Sequence, residues 1–336
     1  MPETGRMLDD LLDVVGIGNA IVDIIAPADE AFLRAHGMAK GGMMLVDERK
    51  AEEIYGQMAS AIIASGGSAA NTIAGIASLG GRTAYIGKVR DDEFGRAFRH
   101  DITAVGALFR TPPATTGPST AQCLILVTPD SQRTMNTYLG ACANISSDDI
   151  DEELIRSAHF TYLEGYLYDD PAAMRAFHSA SEIAHAAGRR VALSLSDPFC
   201  VERHRGEFLH LVDHHVDVLF GNEAEVTSLF ECGWDEAIAR LRQLTELAAI
   251  TRGAAGSVVL SKEGPIEVSP EPVHTIVDTT GAGDLYAAGF LFGLTRGASL
   301  RECGRLGSIA AAEIISHYGA RPQTALRGLI GQTVSP

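Results

Sequence analysis

Short apolar runs, punctuated by glycine, asparagine and acids, alternate along this chain with longer stretches whose apolar residues recur at helical spacing. Val14-Val15-Gly16-Ile17-Gly18 reads as a buried strand, and after a turn at Asn19 the run Ile21-Val22-Asp23-Ile24-Ile25 continues it with one acid inside. An acid in that setting needs a partner. The pattern next predicts a short helix at 32–34, a brief strand at 43–46, and a helix that opens at Asp47 and runs to about residue 63. Small apolar residues over 72–79 predict a packed helix stopped by Gly80-Gly81, followed by a strand at 85–89 and a helix at 91–104. The part from 111 to 138 is different. Prolines and Gly117 break it up, while Gln122-Cys123-Leu124-Ile125-Leu126-Val127 is a strand, so the segment reads as a β excursion from the main domain. From Asp149 onward strands near 160–163, 191–195, 218–220, 247–251 and 257–260 alternate with amphipathic helices such as 171–187 and 234–241. That alternation predicts an α/β fold with a mostly parallel sheet covered on both faces. A further short pair of strands, 266–268 and 273–275, precedes two C-terminal helices at 282–293 and 300–315.

The length of 336 residues suits one large α/β domain or two modest ones with a sizeable core. A formal net charge of −16 argues against nucleic acid and against anionic membranes as partners. No apolar run reaches the ~18 residues that suggest a membrane span, and the acidic N-terminus lacks the features of a secretory signal. The expectation is a soluble cytoplasmic protein with a frayed tail over 1–12. Five cysteines, Cys123, Cys142, Cys200, Cys232 and Cys303, form no C-x-x-C pair, which predicts buried free thiols rather than disulfides or a zinc site.

Candidate chemistry concentrates at strand ends and helix starts. Asp278-Thr279-Thr280-Gly281-Ala282-Gly283-Asp284 reads as a glycine-loosened loop opening a helix, whose unpaired amides and positive dipole end favour an anion. Asp284 there is either a helix cap or a base that takes a proton from a hydroxyl in phosphoryl transfer. Asn19 and Asp23 are a turn residue and a solvated acid, or an amide and acid that hold a polyol. Gly66-Gly67-Ser68 with Asn71 is a helix-entry turn, or a place where amides approach a sugar. Asn222 and Glu225, three apart, are acids at a helix start or part of a water-mediated Mg²⁺ site. Thr251-Arg252-Gly253 follows another strand, and Arg133 in the β excursion is a solvated charge or a lid residue that closes over a phosphate. No G-x-x-x-x-G-K-[ST] loop, H-E-x-x-H motif or G-x-G-x-x-G fingerprint is present.

In their order these motifs resemble the ribokinase-like, or PfkB, family of sugar and nucleoside kinases. Its two signatures correspond to Gly66-Gly67-Ser68-Ala69-Ala70-Asn71 through Gly80-Gly81, Gly87 and Gly95, and to the Asp278 to Asp284 run. Within the family the chain is most similar to adenosine kinases, on Gly16-Ile17-Gly18-Asn19-Ala20-Ile21-Val22-Asp23-Ile24, Leu193-Ser194-Leu195-Ser196-Asp197-Pro198-Phe199 and Asp217-Val218-Leu219-Phe220-Gly221-Asn222-Glu223. Two places depart from the pattern: Asp197 stands before Pro-Phe where a small residue is common, and Leu285-Tyr286 is bulkier than the usual pair.

The resemblance implies a ribokinase-like three-layer sandwich over 13–331, with a small β-sheet lid built from parts of about 20–47 and 111–139. It implies ATP and Mg²⁺ as cofactors, with K⁺ near Asp278. Asp284 would be the base, Gly281, Ala282 and Gly283 the anion hole, and Arg133 a contact to phosphates. Asn19, Asp23, Gly66, Gly67, Ser68 and Asn71 would hold the ribose, and Tyr166 would stack on the base. Asn222 and Glu225 would organise Mg²⁺ through water, and Thr251, Gly253 and Gly256 would border the ATP pocket. The implied reaction is γ-phosphoryl transfer to the 5′-hydroxyl of a nucleoside, adenosine foremost, by a monomer or homodimer. A sugar kinase of the same family and a non-catalytic nucleoside-binding protein are the alternatives.

Overall fold

Strands formed from the unbroken apolar runs stack into an eight-stranded sheet, and the computed structural model describes it within residues 11–130 and 132–331. From one edge the order is Gly264–Val268, Ser257–Ser261, Leu247–Thr251, Val218–Asn222, Arg190–Ser194, Ala158–Glu164, Leu12–Ile17 and Thr83–Ile86. The two pairings at the Gly264–Val268 edge are antiparallel and all others are parallel. Adjacent residues of a strand point to opposite faces, so Val14 joins the core beneath Ser68–Ser78, Ala282–Thr295 and Leu300–Ile314, while Val15 joins the core beneath Pro171–Ala186, Arg205–His215 and Trp234–Leu244. Each fully buried Ile, Leu or Phe in these layers contributes about 1.5–3 kcal/mol. Leu12–Ile17 has Thr83–Ile86 on one side and Ala158–Glu164 on the other, so the winding direction reverses there and a crevice opens at its carboxyl end.

The run Ile21–Pro27 does not continue the first strand. It turns away after Gly18-Asn19-Ala20 into a second, five-stranded sheet ordered Met43–Leu45, Arg133–Tyr138, Ala121–Val127, Ile21–Pro27 and Ile62–Ser65. This lid also corrects the helix expected from Asp47 to about residue 63. The helix is Glu48–Gln57, capped by the Asp47 side chain, and Ile62–Ser65 pairs antiparallel with the strand that carries Asp23. Residues 273–275 form no strand. Of the tail expected over 1–12, residues 1–10 lie outside the described residues, whereas Leu11 is buried and Leu12 already belongs to the first strand. Four of the five cysteines are buried free thiols, and Cys232 is half-buried. Among the described residues no helix is long and apolar enough to cross a membrane.

Candidate active site

Two helix starts meet at the crevice. Ser68–Ser78 and Ala282–Thr295 pack closely because Gly75 faces Leu285 and Ala288; a Cβ at Gly75 would lie 2.6 Å from Leu285 Cδ1 and 2.7 Å from Ala288 Cβ. The contact brings Asp284 against the other helix, where Ser68 Oγ donates to Oδ1 at 2.6 Å and Asn71 Nδ2 donates to Oδ2 at 2.9 Å. Thr72 Oγ1 donates to the Asp284 carbonyl at 3.1 Å, so the backbone is held as well. A carboxylate offers about four lone-pair positions, and two remain for a substrate hydroxyl. Burial lifts the Asp284 pKa from 3.8 to about 6, although both donors pull it down. Asp284 is not the N-cap. That position falls to Gly281, which takes a left-handed φ of 81° and makes no side-chain cap.

The expected anion hole needs one correction. The Ala282 amide donates to the Thr279 carbonyl at 3.2 Å and is spent in the turn. The amides of Gly281, Gly283 and Asp284 find no acceptor among the described residues, and a Cβ on Gly283 would meet nothing within 4 Å. Unpaired amides facing open space at a helix start suit a phosphate.

Facing this pair is the lid strand. Asp23 packs against Gly66 so closely that a Cβ there would sit 2.4 Å from Asp23 Oδ2, and Gly67 follows with a φ of 89°. Burial raises the Asp23 carboxyl to about 7, opposed by the charges of Arg321 and Arg133. Asn71 Oδ1 is buried without a hydrogen-bond partner among the described residues, an acceptor free to meet a hydroxyl. Asn19 differs from the expectation of a sugar ligand: it is 3% exposed, and its Nδ2 donates inward to Glu164 Oε1 at 2.8 Å.

Glu164 and Arg321 are the residues that sequence reasoning missed. Glu164, buried at the end of its strand, accepts from Asn19 N at 3.3 Å and Ala69 N at 2.8 Å as well as from the Asn19 side chain, tying the first crossover to the Gly66-Gly67 turn. Burial raises it to about 7, against the pull of these bonds. Its signal was an acid ending an apolar strand. Arg321 follows the helix Leu300–Ile314 with Nε and Nη2 buried and without a hydrogen-bond partner among the described residues, its guanidinium 5.9 Å from the Phe98 ring and its charge felt by Asp23. Nothing local marks it.

On the other side of Asp284, Asn222 and Glu225 form a reciprocal capping box for the helix Glu223–Phe230. Asn222 Oδ1 accepts from Glu225 N at 3.0 Å, while Asn222 N and Nδ2 donate to the Glu225 carboxylate at 2.9 and 2.6 Å. Glu225 is buried, and its carboxyl is pushed up to about 7. Among the described residues no group of three or more His, Cys, Asp or Glu could hold a metal ion. Mg²⁺ therefore fits this site only with nucleotide phosphates and water supplying most of its ligands, and with Asn222 and Glu225 at the outer edge. Thr251 sits beside Asn222 in the sheet register, and Gly253 and Gly256 bracket the turn behind it. Asp197, one departure from the family pattern, caps Pro198–Arg203 by accepting from Cys200 N at 2.7 Å. Tyr286, the other, donates its hydroxyl to Ser257 Oγ at 2.8 Å inside the core. Tyr166 turns toward the same segment, its hydroxyl donating to the Ser196 carbonyl at 3.3 Å.

Arg133 opens the lid strand Arg133–Tyr138 and reaches back to the signature loop. Its Nη2 lies 2.6 Å from Asp278 Oδ2, and Nη1 donates to Thr280 Oγ1 at 3.1 Å. Asp278 Oδ1 also accepts from Thr280 N at 3.1 Å and Thr280 Oγ1 at 2.8 Å, and Oδ2 from Gly319 N at 3.2 Å. The Asp278 carboxylate expected near K⁺ thus has three hydrogen-bond donors and a guanidinium ion pair on its oxygens and does not fit a cation.

Comparison with known proteins matches the chain by family and fold. The profile of the pfkB family of carbohydrate kinases matches residues 44–325. The adenosine kinase from Sinorhizobium meliloti superposes with a TM-score of 0.90 at 48% identity, covering 95% of this chain and 98% of that one. A probable sugar kinase from Rhizobium etli gives a TM-score of 0.91 at 44% identity with the same coverage, 95% and 98%. Adenosine kinase 2 of Arabidopsis thaliana is 28% identical over 335 residues, 91% of this chain and 94% of its own.

Proposed function

The chain belongs to the pfkB family of carbohydrate kinases, phosphotransferases that act on hydroxyl groups, and from that premise we propose that it phosphorylates the 5′-hydroxyl of a nucleoside, adenosine foremost. The observation that carries the reading is the grip of Ser68 and Asn71 on Asp284 beside three unpaired amides, with Asp23 and the Gly66-Gly67 turn facing it. Asp23 and Asn71 Oδ1 would accept from the sugar hydroxyls and fix the reacting oxygen near Asp284. Ionised Asp284 would then take the proton as the oxygen attacks the γ-phosphorus, while the amides of Gly281, Gly283 and Asp284 and the charge of Arg133 stabilise the phosphoryl oxygens. Mg²⁺, held by the ATP phosphates and by water at Asn222 and Glu225, would neutralise phosphate charge. Descent of the lid would exclude water before transfer.

Adenosine as acceptor is supported by the likeness to the Sinorhizobium meliloti and Arabidopsis thaliana adenosine kinases. A sugar acceptor is the second reading, supported by the comparable likeness, 44% against 48% identity, to the probable sugar kinase from Rhizobium etli. Initial rates with adenosine, inosine, cytidine, ribose and fructose at one ATP concentration test the two. Highest kcat/KM on adenosine is expected, and turnover of ribose or fructose with none of any nucleoside would overturn the nucleoside reading.

A further inference from the structure

We propose that the anion hole of this kinase works without a monovalent cation, because Arg133 brings the equivalent charge to Asp278 from the lid. An ionised carboxylate accepts at about four positions. At Asp278 three hydrogen-bond donors and one ion pair converge: Thr280 N at 3.1 Å and Thr280 Oγ1 at 2.8 Å donate to Oδ1, Gly319 N donates to Oδ2 at 3.2 Å, and Arg133 Nη2 stands 2.6 Å from Oδ2 as an ion-pair partner. K⁺ is held where oxygen dipoles replace its hydration shell. The groups that meet the Asp278 carboxylate oxygens are N–H and O–H donors and a guanidinium, which present hydrogen or positive charge rather than oxygen to an incoming cation, while the neighbouring Ile315 carbonyl accepts from the Asp278 and Val277 amides. A K⁺ ion placed there would also stand against a guanidinium whose side chain is 11% exposed and whose carboxylate partner is 4% exposed.

The positive charge sits where it serves the phosphate. Arg133 Nη1 donates at 3.1 Å to the hydroxyl of Thr280, the residue before Gly281, so the guanidinium stands beside the unpaired amides. Arg133 belongs to the lid sheet and Asp278 to the loop that opens Ala282–Thr295. The charge therefore arrives with the lid, and closing the site and completing its electrostatics are one movement rather than two.

The inference depends on the kinase site and not on which hydroxyl compound is phosphorylated, so its test omits the acceptor. The full chain is titrated with β,γ-methylene-ATP and Mg²⁺ by calorimetry in KCl, NaCl and choline chloride of equal ionic strength. Wild-type affinities in the three salts are expected within about threefold of each other. Arg133→Met, shown to fold by circular dichroism, is expected to bind the analogue about 10- to 100-fold more weakly in choline chloride, because a positive charge beside the phosphates is lost. Tightening of wild-type binding by K⁺ beyond threefold, or unchanged affinity in Arg133→Met, overturns the proposal. Either result leaves the acceptor reading to the rates on nucleosides and sugars.

Discussion

Ser68 Oγ donates to Asp284 Oδ1 at 2.6 Å, although 216 positions of sequence separate the two residues. The bond fixes one carboxylate oxygen, Asn71 fixes the other, and a carboxylate clamped at both oxygens cannot rotate away from a hydroxyl brought to it. Burial makes the same group a stronger base than an exposed aspartate, so position and basicity come from one packing arrangement.

Replacing the base without changing its shape separates chemistry from folding. Asp284→Asn should lower kcat by about 10²-fold or more while nucleotide binding persists. Steady-state rates and calorimetric titration with an ATP analogue check this; near-normal kcat in a folded variant would remove Asp284 from the base role.

Proton linkage gives the pH dependence of both rate and stability. As a base Asp284 would have to be ionised, so kcat/KM should rise with pH through the free protein's folded pKa of about 6 and level off above it, which a pH–rate profile reads directly. Stability runs the other way. With a folded pKa raised from 3.8 to about 6, the folded state holds the proton more tightly, and the cost of ionising Asp284 grows across that window and is complete above it. Asp284→Asn should therefore melt no lower than wild type at pH 8, and a clearly lower Tm there would contradict the linkage.

The helix contact at Gly75 carries the alignment. Gly75→Val would drive methyl groups into Leu285 and Ala288, and such overpacking costs about 1–3 kcal/mol. We expect a reduced Tm together with a fall in kcat larger than any rise in the KM for ATP, because Asp284 moves relative to Ser68.

Glu164 supports the acceptor side from below. Each donor stranded in the core costs about 1–3 kcal/mol, so Glu164→Ala, which strands Asn19 N, Asn19 Nδ2 and Ala69 N, should lose more than about 2 kcal/mol of unfolding free energy. Glu164→Gln keeps an acceptor oxygen and should fall between. Urea denaturation gives the stabilities, and the KM for the acceptor should rise in both variants as the Gly66-Gly67 turn loosens.

Much of this was legible in the chain. Alternation of apolar strands and amphipathic helices is a local pattern, and from it the strands of the mostly parallel sheet from Ala158 to Ser261 could be read with ends displaced by only a few residues. The Asp278 to Asp284 run was legible for a related reason, since glycines before a helix carry their chemistry in their own backbone. The strand Ile62–Ser65 starts within the helix expected to about residue 63, because its partner strand lies about forty positions earlier and Ile62 and Ile63 are both exposed, Ile62 at 70%, so the segment lacks the alternation of a half-buried strand.

What the sequence determined by itself is therefore the layer architecture, the glycine-loosened helix start at Gly281 to Asp284 and the set of polar residues at strand ends. Tertiary structure alone decided how those residues are spent: Asn19 turned inward to Glu164, Ala282 consumed by its own turn, Asn222 and Glu225 locked to each other, and Arg133 laid on Asp278. The reason is geometric. A hydrogen bond or ion pair needs its partners within about 3 Å, and that proximity is fixed by the packing of distant elements, which no local spacing encodes.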